Sequence, residues 1–354
     1  MIFVPAFLLS LAGLVTINSF SGEHYLFTRQ VIWLTISLIV FFGATAVDWR
    51  FLRVSKVLIS VYMLMVGVLA LLFVVGNVSH GAQSWFDFGA FSFQPSDLAK
   101  FAIILVLAKY FSRRHIEIAN VKHILISGAY AIVIFVLVFL QPDFGGAVTI
   151  LGIWAGMVLV SGISKKHILG VLTLGTVVTV ILWSFVFAPY QKARIVSFIH
   201  PLADIHGAGY NAYQSTIAVG SGQILGKGIG YGTQSKLLFL PEYETDFIFA
   251  AFAEEWGLIG STLLIIIFVV LLYRIIDNAK LAPTNFEAFV GLGVASLFTV
   301  HLVIHAGMNM GVLPVTGIVF PFMSYGGSHL VTEWLALGIL CGMKRFSSGP
   351  RIKT

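Results

Sequence analysis

Apolar runs of about 20 residues recur from one end of this chain to the other, at 3–20, 30–47, 57–76, 96–111, 123–140, 146–161, 168–188, 247–273, 286–308 and 326–343. As a helix, a run of that length spans the hydrocarbon core of a bilayer. Inside lipid the backbone must satisfy its own hydrogen bonds, which helices do segment by segment. The pattern predicts an all-α polytopic membrane protein of about ten transmembrane helices. Of the 354 residues, 58% are hydrophobic and 10% charged, where a soluble domain carries about a quarter charged. Residues 1–354 therefore read as a single transmembrane domain. No small-residue cleavage pattern follows the first run, so it reads as a retained helix rather than a signal peptide.

The basic residues set the orientation. Arg50, Arg53 and Lys56, then Lys109, Arg113, Arg114 and Lys122, then Lys165 and Lys166, then Arg274 and Lys280, and finally Lys344, Arg345, Arg351 and Lys353 all fall on one side of a ten-span arrangement. Basic loops stay cytoplasmic, so both termini are expected inside. The loops 77–95, 189–246 and 309–325 are then outside, the large extracellular loop 189–246 lying between helices 7 and 8. Topology accounts for the net charge of +6. The cations sit in short groups flanking membrane lipids, a pattern that gives no support to nucleic-acid binding. A lone Cys341 excludes an internal disulfide and a cysteine metal site.

The stretch from Gly222 to Gly257 is long, glycine-rich and polar in an otherwise apolar chain, and carries Glu242, Glu244, Asp246, Glu254 and Glu255. Acids at or inside the edge of a span face a cavity, a partner or water. Loops as long as 189–246 are functional or disordered. Interleaved Tyr210, Tyr213, Ile217, Leu225, Leu237 and Phe239 favour a packed cap or re-entrant segment. No internal repeat is evident, which weakens an inverted-repeat transporter.

Four polar segments could supply chemistry. In Gly81–Lys100, Trp85 belongs either to an interfacial aromatic belt or to a site. Pro95 suits a first helical turn, where Asp97 meets the helix dipole. Lys100, one turn on, either pairs with Asp97 or captures an anion such as phosphate. Asp143, in Gln141-Pro142-Asp143, either completes a turn or joins the other carboxylates. Asp246 either opens a helix electrostatically or acts chemically. Glu254 and Glu255 are too deep to be caps, so at least one must face a polar interior. Pro314, Pro321, Gly326 and Gly327 break the helical pattern around Ser324, Tyr325 and Ser328, and broken backbone at membrane depth is covered by protein or lines a cavity.

Taken together, Gly81–Lys100, Gln141–Gly146, Gly209–Gly257 and Gly311–Ser328 resemble the signature regions of the SEDS family (shape, elongation, division and sporulation), glycosyltransferases that polymerise peptidoglycan from lipid II. GSGQILGKG at 220–228, GTQSKLLFLPEYETDFIFA at 232–250 and GVLPVTG at 311–317 look more like the elongation branch than the division branch. The resemblance implies that Asp246 is the catalytic aspartate. It also implies that Trp85, Lys100, Asp143 and the Gln94-Pro95-Ser96 motif, with Asp97 after it, serve the substrate. Arg194 and Lys227 are further candidates for a diphosphate, and Glu254 and Ser324 for the cavity wall. The implied partner is a class B penicillin-binding protein transpeptidase, its single span packing around Gly291, Gly293 and Ala306. The implied location is the bacterial cytoplasmic (inner) membrane, with the active site on the extracytoplasmic face. Acids and a diphosphate suit a divalent cation, Mg²⁺ or Mn²⁺, and no organic cofactor is expected. The chain departs from the family pattern at Ser84, where Arg is usual, at Asp97, where Glu is usual, and at Gln223, His305 and Val319. A lipid II flippase, a division-type enzyme and a non-catalytic scaffold are the competing readings.

Overall fold

The structure is a computed structural model that describes residues 2–20, 25–79, 82–87, 89, 92–113, 121–162, 170, 173, 175–176, 180, 182–187, 189–200, 209–237 and 239–346. It is mostly helical. Helices α1 (Phe3–Phe20), α2 (Tyr25–Ala46), α3 (Ser55–Val75), α4 (Pro95–Ser112), α5 (Val121–Leu140) and α6 (Phe144–Val160) are followed by the shorter α7 (Pro189–Ile199), α8 (Tyr210–Ser221) and α9 (Thr233–Lys236). The long α10 (Ile248–Lys280), α11 (Asn285–Asn309) and α12 (Gly327–Arg345) complete the bundle. Among the described residues, α2, α3, α5, α10 and α11 are long and apolar enough to cross a membrane. Most of the seventh apolar run, 168–188, lies outside the described residues; Leu182–Val186 forms a π-helical turn.

Aromatic packing ties the first helices to the last. The Trp334 ring of α12 lies 5.5 Å from Phe3, 5.3 Å from Phe41 and 5.6 Å from Phe322. Gly338 lets α12 approach α2 closely, since a Cβ there would lie 2.7 Å from the Phe41 carbonyl oxygen. Small residues that admit close backbone contact are how helices associate without a hydrophobic driving force between them.

Two loops have more structure than their composition suggests. Between α3 and α4, β1 (Asn77–Ser79), β2 (Ala82–Asp87) and β3 (Ser92–Phe93) pair as a three-stranded antiparallel sheet, with Phe86 opposite Phe93. The glycine-rich stretch after α8 repairs a break in α10. Gly257 has φ 65°, outside helical geometry, and this frees backbone groups on both sides of it. Loop residues take their place: Lys227 and Gly228 donate N–H bonds to the Glu254 and Glu255 carbonyls (both 3.0 Å), and Leu258 donates to the Gln223 carbonyl (2.9 Å). Backbone breaks inside a membrane protein persist when another segment re-satisfies them. A small core of Ala218, Leu240, Phe247 and Ala250 fastens this region to the start of α10.

Candidate active site

Asp143 shows how the cavity is assembled. It caps α6, accepting the Gly146 N–H at 2.7 Å on one carboxylate oxygen, as helix N-caps do. The other oxygen accepts from the Gln94 amide and the Ser96 hydroxyl, each at 3.2 Å. One carboxylate therefore holds the start of α4 against the start of α6. A Cβ at Gly146 would lie 2.8 Å from the Asp143 carboxyl carbon, so glycine there preserves the cap.

One turn into α4, the Lys100 ammonium donates to Asp97 at 2.9 Å, with both side chains buried. The Ser328 hydroxyl, at the start of α12, donates to the other Asp97 oxygen at 3.2 Å and accepts the Gln94 N–H at 3.1 Å. Helices α4, α6 and α12 thus meet at one polar junction.

The turn before α10 presents Asp246, and three distant elements hold its backbone. Tyr325 N–H donates to the Glu244 carbonyl at 2.7 Å, and the Ser324 hydroxyl to the Thr245 carbonyl at 2.8 Å. Gln30 of α2 fixes that segment in turn, its amide donating to the Ser324 carbonyl and its oxygen accepting Gly326 N–H, both at 3.1 Å. Fully buried Asn309 inserts where the first turn of α10 would close. Its amide donates to the Asp246 carbonyl at 3.0 Å and its oxygen accepts Ala250 N–H at 3.0 Å. Burial, then the charge of nearby Glu242, raises the Glu244 carboxyl above the usual carboxylate range.

These junctions surround a cavity of about 610 Å³ lined by Trp85, Gln94, Asp97, Lys100, Asp143, Arg194 and Asp246, with Ser84, Glu242, Thr245, Gly317, Val319, His301 and His329. Seven of the residues singled out from the sequence line it together: Trp85, Gln94, Asp97, Lys100, Asp143, Arg194 and Asp246. Ser96 is tied to it through Asp143. A cavity with a carboxylate at its rim and cations in its wall suits transfer of a group away from an anionic leaving group.

Three residues expected at the site are placed elsewhere. Glu254 is fully buried and accepts from Lys227 at 2.7 Å, Thr233 N–H at 2.9 Å and Gln234 N–H at 3.2 Å. It anchors the N-terminus of α9 as a buried anion, and Lys227 is its counter-ion. Ser324 is fully buried too and supports the turn beneath Asp246. The docking surface drawn around Gly291, Gly293 and Ala306 needs correction. A Cβ at Gly291 would lie 2.9 Å from Ala279, one at Gly293 3.0 Å from Met157, and Ala306 is buried, so these positions pack helices within the chain. His305 Nδ1–H donates to the Ile318 carbonyl at 2.6 Å, and its ring meets Phe320 edge-on. Sequence reasoning did not single out Asn309, His301 or His329; an imidazole inside an apolar span was the available signal, whereas Asn309 carried none. Among the described residues, no group of three or more His, Cys, Asp or Glu side chains is arranged to hold a metal ion. Protein side chains there do not by themselves fit a complete Mg²⁺ or Mn²⁺ site.

Residues 1–349 match the family of cell cycle proteins FtsW, RodA and SpoVE. The chain belongs to this family. It is 37% identical to stage V sporulation protein E of Bacillus subtilis over 332 residues, 93% of this chain and 89% of that one. It is also 37% identical to the peptidoglycan glycosyltransferase MrdB of Escherichia coli K12 over 282 residues, 79% of this chain and 75% of that one. In fold it matches a chain from a study of structural coordination of polymerization and crosslinking by a peptidoglycan synthase complex. The TM-score is 0.84 at 29% identity, covering 99% of this chain and 98% of that one. Family and apolar helices together make this a multi-pass membrane protein.

Proposed function

We propose that this protein is a peptidoglycan glycan-strand polymerase, transferring disaccharide-peptide units from lipid II onto a growing chain and releasing undecaprenyl diphosphate. The observation that carries the reading is the convergence of Asp246, Lys100 and Arg194 on one cavity. Asp246 takes the proton of the acceptor sugar hydroxyl. The resulting oxygen attacks the anomeric carbon of the donor, and the bond from that carbon to the diphosphate oxygen breaks with its electron pair. Lys100 and Arg194 stabilise the negative charge that leaves. Asp143, Gln94 and Ser96 hold the cavity wall, and Trp85 flanks the sugar.

In this reading the enzyme works in cell elongation, as the motifs at 220–250 and 311–317 suggest, and pairs with a class B penicillin-binding protein through a surface other than Gly291 and Gly293. Its cavity opens on the extracytoplasmic face of the cytoplasmic membrane. The Lys and Arg distribution supports that orientation. In a Cys341→Ser background, an impermeant thiol reagent applied to intact cells should label Leu225→Cys and spare Lys56→Cys; the reverse pattern would invert the topology. Any divalent cation would be shared with the diphosphate rather than caged by side chains.

Asp246→Asn keeps size and hydrogen bonding but removes the base. Polymerisation of purified lipid II should fall at least about a hundredfold, with lipid II binding retained. A parental rate would remove Asp246 from the chemistry and put the flippase or scaffold reading ahead.

A further inference from the structure

We propose that His301 is a ligand-contacting residue of this cavity, donating a hydrogen bond to a phosphate oxygen of the lipid-linked diphosphate; the inference rests on the lipid-diphosphate reading above. His301 lies on α11 eight residues before Asn309, about 12 Å deeper along the helix axis at 1.5 Å per residue. It lines the same cavity as Asp97 and Lys100 in the first turns of α4. Further down, a Cβ at Gly293 of α11 would lie against Ile104 of α4. The two helices therefore run antiparallel, and His301 stands level with the start of α4 on the cavity floor.

Its chemistry there is unmet. His301 is only 4% exposed, yet neither ring nitrogen has a hydrogen-bond partner among the described residues. Burying a polar group without a partner is costly, and native structures rarely leave one so. Since the ring faces a cavity, the partner belongs to whatever fills it.

The neighbouring groups indicate what kind of ligand that is. Both Asp97 oxygens are engaged, one by Lys100 at 2.9 Å and the other by Ser328 at 3.2 Å. His329 has its Nε2 against the Ser324 carbonyl at 3.1 Å. Lys100 carries three N–H donors, one of which goes to Asp97. Neutral His301 adds one more N–H, together with one acceptor nitrogen. The other buried acid nearby, Glu333, accepts Phe322 N–H at 2.7 Å on one oxygen, has no partner for the other among the described residues, and is not among the lining residues. Lys100 thus brings a cation and two further N–H groups to this floor, and His301 adds an N–H beside them. A diphosphate, which is all acceptor, matches it better than a sugar hydroxyl, which brings its own donor.

Farnesyl diphosphate is a suitable probe, titrated into the purified full-length protein in detergent micelles. His301→Leu should weaken its binding at least about tenfold, the loss expected for one hydrogen bond to a charged group. His301→Gln, whose amide supplies an N–H of similar reach, should stay within about threefold of the parent. Leu and Gln variants that melt at the parental temperature and bind equally well, or equally badly, would overturn the donor role. A parent protein that polymerises lipid II without binding farnesyl diphosphate would also overturn it while leaving the function in place. Histidine-dependent binding in a protein that does not polymerise lipid II would uphold the anion site and sink the polymerase reading.

Discussion

The Asn309 side chain occupies the place of a missing helical hydrogen bond, and its removal should uncouple Asp246 from its setting. In an intact first turn the Ala250 N–H would bond the Asp246 carbonyl four residues earlier. Here the Asn309 carboxamide stands between them, accepting from one and donating to the other, both at 3.0 Å. It also donates to the His305 carbonyl of its own helix at 2.8 Å. Asn309→Leu keeps the volume but leaves the Ala250 N–H and the Asp246 carbonyl without it. At about 1–3 kcal/mol for each buried group left unsatisfied, the loss of stability is about 2–6 kcal/mol. The chain has one means of avoiding that loss, which is to close the turn directly and draw Asp246 into the helix. A displacement of about 1 Å at a reacting group costs about a hundredfold in rate. Either way, polymerisation falls by about two orders of magnitude. Asn309→Asp, which keeps the acceptor for Ala250 and loses the donor to Asp246, should fall between parent and Leu in stability. Thermal unfolding in detergent and lipid II polymerisation, measured on the same preparations, read both effects. An Asn309→Leu protein with parental melting and parental rate would show that the carboxamide does not position Asp246.

Lys100 is tested by removing its partner as well. Lys100→Met alone should abolish polymerisation and, by leaving Asp97 buried and unpaired, cost about 3–5 kcal/mol; adding Asp97→Asn should restore stability without activity. Recovery of activity in the double variant would reduce Lys100 to a counter-ion. For Glu254→Gln, a loss of about 3 kcal/mol or more in stability is expected from the broken buried pair, with the rate of the folded fraction within about threefold of the parent. The opposite pattern, full stability and lost activity, would return Glu254 to the chemistry.

How much of this was legible in the sequence depended on what kind of signal each feature leaves. Helices buried in lipid are written in runs of apolar residues, so α2, α3, α5, α10 and α11 could be read directly, although α2 begins at Tyr25 rather than residue 30 and α10 runs on to Lys280 rather than residue 273. Acids and cations in such runs are costly enough to mark themselves, which is why Asp97, Lys100, Asp143 and Asp246 stood out and why seven of the chosen residues meet in one cavity. The same signal does not separate a carboxylate that faces a ligand from one that anchors a loop. Glu254 and Lys227 were conspicuous for that reason, but the α9 backbone takes up the charge of Glu254. Glycines were ambiguous too. Gly291 and Gly293 have the small-residue pattern of an interhelical contact, and they make one, but with α10, α4 and α6 of the same chain.

Asn309 and Gln30 left no mark because each is an ordinary polar residue whose importance lies in what the fold brings to it; Ser324 was marked, but as cavity wall rather than as the support of a backbone turn. All three act on backbone rather than on side chains, and all three bear on the segments around Asp246. Their effect is cumulative: α2 fixes the 324–326 segment, that segment fixes residues 244 and 245, and α11 fixes residues 246 and 250. A carboxylate at the start of a lone helix would drift as its first turn frays. Here the backbone on both sides of Asp246 is tied to helices from opposite ends of the chain, so the carboxylate can be held still at the rim of a polar cavity. Such fixed geometry is what a general base needs, since its contribution depends on hydrogen-bond reach to one hydroxyl. Side chains of the α4 and α6 junction do the same for the anionic half of the reaction. The two halves share no direct hydrogen bond among those described; they are linked through α12, where Ser324 precedes and Ser328 opens the helix. A shift of α12 would therefore move the base and the cation together.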